Sequence, residues 1–343
     1  AASADFLVEI GTEELPPRAL PNLQAAFATG LESALRKARL SFSGLQSFAT
    51  PRRLAVLVTG LQLRQAPKQV KQRGPPIRQG FDTDGQPTQA AEAFAESFGV
   101  TTAELKTLET DKGAWLVYRG ELAGHAAAEL LPEIVPSVLN NLPIAKRMRW
   151  GDRSVNFVRP VHWVVMLLGK QVLDAKIFGL TAGRATRGHR FHAPAAIDLK
   201  RPADYAKQLR SKGMVIADFA ERTACIRAAA EAAASGLDGA PVLEDFVVEE
   251  VAALVEWPVA VRGRFDHEFL RLPDEVLTAT LQDQQHYFPV RNAAGELLPE
   301  FIAISNIDSK EPEQVRKGNE RVVRARLADA AFFWDQDSKS TLA

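Results

Sequence analysis

Helix-type and strand-type periodicities are mixed along this sequence with no regular alternation, and that constrains the fold more than any other feature. DFLVEI (5–10) reads as a short strand and GTEELPP (11–17) as a turn. The run 18–40 repeats apolar residues at three and four, which predicts a helix that Pro17 could open. RRLAVLVTGLQL (52–63) is β-rich, and 64–89, rich in Gly, Pro and Gln, reads as a long excursion or linker. TQAAEAFAESFG predicts a short helix ended by Gly99, and GAWLVYRGEL a strand. A helix within 124–142 is expected to be interrupted or kinked by its prolines. The run 158–180 reads as two strands joined at Gly169-Lys170-Gln171. The clearest helix is 218–236, with Asp218 and Glu221 at capping-box spacing and Gly236 at its end. Helices are also expected within 244–258 and 318–337, a helix running into a strand at 272–290, and a strand at 298–308. Without sustained βαβα order, the pattern predicts an α+β fold of composite, multi-lobed architecture.

At 343 residues the chain exceeds what one core usually holds. Its net charge is zero, so no global field draws it to nucleic acid, and any basic surface must come from local clustering. The single cysteine, Cys225, excludes a disulfide framework and a multi-cysteine zinc site. In its helical context it reads as a small buried hydrophobe. The N-terminus lacks a signal-peptide pattern, and VVMLL (164–168) falls far short of the roughly 18 apolar residues of a spanning helix. A soluble, cytoplasmic protein is expected.

Several chemistries are missing by type. There is no Walker-type phosphate loop, no G-x-G-x-x-G and no G-x-S-x-G elbow, and His267-Glu268 lacks the second histidine of a zincin motif. GRATRGHRFHAP (183–194) does offer His189 and His192, but it has no acidic or thiol ligand nearby. A metal ion there would sit against the charges of Arg184, Arg187 and Arg190. His189 as a general base lacks an orienting carboxylate or a nucleophile in sequence.

Charge is strongly segregated. Every charged residue from 49 to 79 is basic, including Arg52, Arg53 and Arg73. From 144 to 192 the basic residues include Lys146, Arg147, Arg149, Lys170, Arg184, Arg187 and Arg190, opposed only by Asp152 and Asp174. Arginine suits phosphate because its planar fork donates two parallel hydrogen bonds. Aromatics interleave the same segments (Trp150, Phe157, Trp163, Phe178 and Phe191), as in proteins that stack single-stranded nucleic acid, although Trp163 in HWVVMLL reads as core. The competing reading is that these arginines pair with acids of another segment or subunit.

A series of strings, in order, resembles one family. They are FLVEIGTEELPP (6–17), TPRRLAV (50–56), KQRGPP (71–76), TDKGAWL (110–116), MRWG (148–151) and FVRPVHW (157–163), followed by RGHRFHAP (187–194), LVEWPV (254–259), QHYFPV (285–290), ISNIDSK (304–310) and GNERVVRARLADAAFFWDQD (318–337). Together they resemble the β subunit of the bacterial heterotetrameric glycyl-tRNA synthetases, in its N-terminal portion. The resemblance implies a non-catalytic partner that supports ATP-dependent glycylation of tRNA. In that family the α subunit holds the active site for glycine, ATP and magnesium, and two α and two β subunits assemble. It also implies that part of the chain resembles the B3/B4-type domains of the phenylalanyl-tRNA synthetase β subunit, and that 326–343 opens a further helical, HD-like region.

The expected organisation is a body lobe of 1–61 with 241–325 and a larger lobe of 62–240. The expected contacts to tRNA phosphate or to a partner subunit are Arg184, Arg187, His189 and Arg190, with Arg52, Arg53, Arg73, Lys146, Arg147 and Arg149. No catalytic or metal-binding residue is assigned. Two alternatives stand beside this reading: a scaffold that docks the α subunit without touching RNA, and a hydrolytic editing domain that uses His189.

Overall fold

The structure is a computed structural model that describes residues 2–339 apart from 112 and 153. Its helices and antiparallel sheets form a mixed α+β fold of two compact units. One comprises 1–3, 35–41 and 62–131; the other comprises 4–34, 42–61 and 132–343.

The smaller unit is built on a three-stranded antiparallel sheet, ordered Lys68–Pro76, Gly113–Leu122, Lys106–Thr110. Helix Gln89–Glu96 packs against it, and Phe98 stacks on Tyr118 at 4.3 Å between ring centroids. The first of these strands lies in the stretch expected to be a linker. It is an edge strand whose pairing slips between Arg73 and Pro76, and an edge tolerates the prolines and charges that made it look like a loop.

The larger unit begins with a five-stranded sheet ordered Gln171–Val172, Val161–Leu168, Ser3–Thr12, Arg53–Gln62, Gly44–Thr50. Ser3–Thr12 is central and apolar on both faces, which is why FLVEI reads as an almost unbroken hydrophobic run. Leu7, Val165, Leu167, Phe48 and Leu57 point to one face, where Tyr205 and Leu209 of helix Tyr205–Gly213 cover them. Pairing of Gln171 with Leu168 closes a tight hairpin at Gly169-Lys170, with Gly169 at φ +58°, a conformation glycine adopts without steric cost.

A four-stranded sheet follows, ordered Ala240–Pro241, Phe288–Arg291, Leu297–Ser305, Val259–Arg264. Helices Phe219–Ala233 and Asp245–Ala252 cover one face through Ile226, Ala230, Val247 and Val251. Helix Pro312–Asp337 sets Val323 and Leu327 with Phe301 and Ala303 in a separate cluster.

Asp218 caps its helix as expected, accepting from the Glu221 N–H at 2.9 Å, and Gly236 follows at φ +82°. Helix Ala127–Asn140, expected to be interrupted or kinked by its prolines, runs through Pro132 and Pro136 without interruption. Cys225 is half-buried rather than buried. The compact units run along different lines from the lobes drawn on the sequence. Strand Val161–Leu168, assigned there to 62–240, is hydrogen-bonded to Ser3–Thr12, and that ladder carries 132–240 with the N-terminal sheet. The stretch 326–343 is helical as far as Asp337, and 340–343 lie outside the described residues. No helix among the described residues is long and apolar enough to cross a membrane.

Candidate functional site

Six of the strings singled out in sequence, FLVEIGTEELPP, TPRRLAV, FVRPVHW, RGHRFHAP, LVEWPV and ISNIDSK, meet inside the larger unit in a buried polar network. Glu9 sits on the central strand with no exposed surface. Its carboxylate accepts from Trp163 Nε1, from Thr186 Oγ1 (2.7 Å), from Tyr205 OH (2.6 Å) and from Arg53 (3.3 Å). Four donors are about what a carboxylate can take. Gly11 makes room for the indole, because a Cβ there would lie 1.9 Å from Trp163 Cε2.

Arg53 is wholly buried, and its guanidinium bridges two acids. It reaches Glu9 and, through Nε at 3.2 Å and Nη2 at 3.0 Å, Glu256. The Arg187 carbonyl accepts from it at 2.7 Å. Burial alone would lower the Arg53 pKa, but Glu256 and Glu9 outweigh it and hold the group charged. Burial pushes the Glu256 carboxyl up, and Arg53 together with the Thr50 hydroxyl (2.6 Å) brings it below its ordinary value. Burial and the neighbouring Glu9 raise the Tyr205 phenol well above its usual range, so it stays a donor.

His189 is 1% exposed, and backbone holds both ring nitrogens. Nδ1 accepts from the N–H groups of Phe191 and His192 at 3.2 Å, which leaves Nε2 to donate to the Asn306 carbonyl at 2.7 Å. Burial lowers its pKa, in keeping with a neutral ring. Asn306 in turn accepts from the Glu256 N–H through its side chain at 2.8 Å. His192 Nε2 accepts from the Asp308 N–H at 3.0 Å. Among the described residues, no group of three or more His, Cys, Asp or Glu could hold a metal ion.

Above this network lies an accessible cluster of mixed sign. Arg190 reaches Glu13 at 2.7 Å and Glu14 at 3.0 Å, and His162 meets Glu13 at 2.8 Å. Burial pushes the Glu13 carboxyl up, but hydrogen bonds from His162 and Arg190 bring it below its ordinary value. Arg52, Arg53 and Arg187 all lie within 6 Å of the Trp163 ring centroid, at 5.6, 5.5 and 5.9 Å, in cation–π range. Arg187 is exposed; Arg52 is half-buried, with Nε and Nη1 lacking hydrogen-bond partners. Burial lowers the Arg52 pKa.

The predicted contact residues therefore separate. Arg52 and Arg187 come together at the Trp163 ring, and Arg190 pairs with Glu13 and Glu14. Arg53 and His189 are corrections: both are enclosed by protein, so neither can touch phosphate or a partner. Arg184 is half-buried and donates to the Lys170 carbonyl at 2.9 Å. Arg149 and Lys146 are exposed, and Arg147 donates to the Asn140 carbonyl at 2.7 Å. Arg73, in the smaller unit, lies over the Trp115 ring at 4.4 Å. Of the interleaved aromatics, Phe157 and Trp163 are core, Phe157 and Trp150 pack on Phe178, and Phe191 is 66% exposed. Sequence reasoning passed over Glu9, Glu256, Thr186, Tyr205 and Asn306. The local signal for the two acids was a carboxylate inside an apolar run, in FLVEI and in LVEWP.

Comparison with known proteins agrees with this convergence of motifs. A family model described as glycyl-tRNA synthetase beta subunit matches residues 6–343. The chain is 53% identical over 339 residues to the glycine–tRNA ligase β subunit of Hahella chejuensis, covering 99% of this chain and 49% of that protein. It is 48% identical over 342 residues to the protein of the same name from Marinobacter nauticus (99% and 49%) and 48% over 338 residues to that from Coxiella burnetii strain RSA 493 (98% and 49%). The chain belongs to the glycyl-tRNA synthetase β-subunit family, whose function is tied to an aminoacyl-tRNA synthetase. It spans about half the length of the curated relatives it matches.

Proposed function

We propose that the chain is the N-terminal portion of a glycine–tRNA ligase β subunit, working in the cytoplasm, that supports glycylation of tRNA by binding tRNA and assembling with a catalytic α subunit. The family match along 6–343 carries this reading. In it the α subunit handles glycine, ATP and magnesium, and two copies of each subunit assemble. The chain's own ionisable groups support a positioning role: Glu9, Arg53, Glu256 and His189 spend their hydrogen-bonding capacity on holding the fold. The editing alternative loses its base, since His189 has no free ring nitrogen to take a proton from water.

The docking role is favoured for one surface in particular. Glu13 and Glu14 make the cluster at Arg190 and His162 mixed in sign, which suits a protein partner better than a polyanion. Reconstitution tests the whole reading. Glycylation should need α and the complete β subunit together, and α alone should be inactive. Glycylation by this chain alone, or full activity of α without β, would contradict the proposal.

A further inference from the structure

We propose that Lys170, Arg184, Lys200 and Arg201 form a phosphate-binding basin for RNA; this rests on the tRNA-binding reading above. The four cations and Asp204 line a concavity of about 480 Å³ in the larger unit. Three separate segments build it. The tight hairpin at Gly169 presents Lys170 at its tip. Gly183 is fastened to the adjoining strand by two hydrogen bonds, its N–H to the Val164 carbonyl at 3.0 Å and its carbonyl from the Met166 N–H at 3.2 Å, which brings Arg184 beside the hairpin. The Leu199 N–H donates to the Arg184 carbonyl at 3.0 Å and sets Lys200 next to Arg184. Arg201 and Asp204 close the rim as an ion pair at 3.1 Å.

Charge compensation within the basin is incomplete. Asp204 answers Arg201, but among the described residues no carboxylate lies within ion-pair distance of Lys170, Arg184 or Lys200. Arg184 commits Nη2 to the Lys170 carbonyl, which fixes the plane of its fork and leaves its other N–H groups to donate. Three uncompensated cations in one concavity concentrate positive potential and attract a polyanion.

The lining also selects the class of ligand. All five residues are charged; their aliphatic stems form much of the wall, but no aromatic or aliphatic residue stands among them to serve as an anchor. Protein interfaces depend on such anchors at their centres and are depleted in lysine. Phosphate contacts come from lysine and arginine without apolar help. The basin thus differs in kind from the cluster at Arg190, where Glu13 and Glu14 are interspersed.

The test compares tRNA binding over a range of salt concentrations, using the complete subunit assembled with α. Lys170→Ala with Lys200→Ala removes two flexible charges at exposed positions. Lys310→Ala with Lys317→Ala, also exposed, makes the same change in net charge elsewhere. The basin variant should lose roughly tenfold or more in affinity at about 0.1 M salt, and its log–log salt slope should flatten by about 1.4–1.8, while the control follows wild type. Thermal melting confirms that each variant is folded. If wild type binds tRNA and the folded basin variant keeps its affinity and slope, the basin assignment fails alone. If wild type takes up no tRNA, the basin and the tRNA-binding reading fail together. Weakened association with α at unchanged tRNA affinity would assign the basin to protein and overturn the proposal.

Discussion

Arg53 and Arg184 come from equally basic stretches of sequence, yet they end in opposite environments. Arg53 is sealed in the core between Glu9 and Glu256, partners 44 and 203 residues away along the chain. Arg184 opens onto a concavity whose one acid, Asp204, pairs with Arg201 instead. What separates them is the company that tertiary structure supplies. A buried ion pair owes its strength to completeness, and breaking one partner strands the rest. A half-buried cation without an acidic partner costs the fold little, and its remaining N–H groups stay available to something outside it.

The largest effect should follow from breaking the enclosed side of this comparison. Arg53→Met leaves two buried carboxylates uncompensated and should cost about 3–5 kcal/mol in denaturant unfolding. A loss below about 1 kcal/mol would mean that the acids find other donors and that Arg53 is not the keystone.

An intermediate effect is expected from pH. The neutral form of His189 is favoured in the folded chain, so its pKa lies below the ordinary 6.5. Below that ordinary value the unfolded chain binds a proton that the folded chain resists, and stability declines. The folded pKa of Glu256 lies below 4.5, so its contribution is present above that value and is lost as pH falls through the folded value. Melting temperature should therefore fall in two stages, first below about pH 6.5 and again below about pH 4.5. His189→Asn keeps an acceptor for the two N–H groups but cannot titrate, and it should abolish the first stage only. An unchanged first stage would place that titration elsewhere.

The smallest effect should come from the mixed-sign cluster. Arg190 and its two glutamates are roughly half exposed, so Arg190→Ala should change stability by no more than about 1 kcal/mol in urea unfolding. A larger loss would move this cluster from the accessible side of the comparison to the enclosed one.

Much of the architecture could be read directly. Ser3–Thr12 announces itself because a strand buried on both faces must be apolar at nearly every position, and Phe219–Ala233 because Asp218 caps it. Lys68–Pro76 was hidden because an edge strand can carry the residues of a loop. The site was legible by location but not by depth. RGHRFHAP and TPRRLAV do meet, yet sequence shows an arginine's charge and not the carboxylate that will face it from a distant segment. His189 shows the same limit, since its tautomer is set by backbone groups at Phe191, His192 and Asn306 that carry no sequence mark.

The span of 203 residues between Arg53 and Glu256 also sets a clock on synthesis. At about 5–20 residues per second, roughly 10–40 s pass between the making of the guanidinium and the making of its second acid. During that interval the N-terminal sheet can form its ladder from Ser3–Thr12 to Arg53–Gln62, but Arg53 has only Glu9 as an acidic partner. The nascent chain therefore carries that guanidinium with one of its two acidic partners still to be made. That core can close only after the ribosome has delivered Glu256 and, 50 residues later, the Asn306 that fastens it.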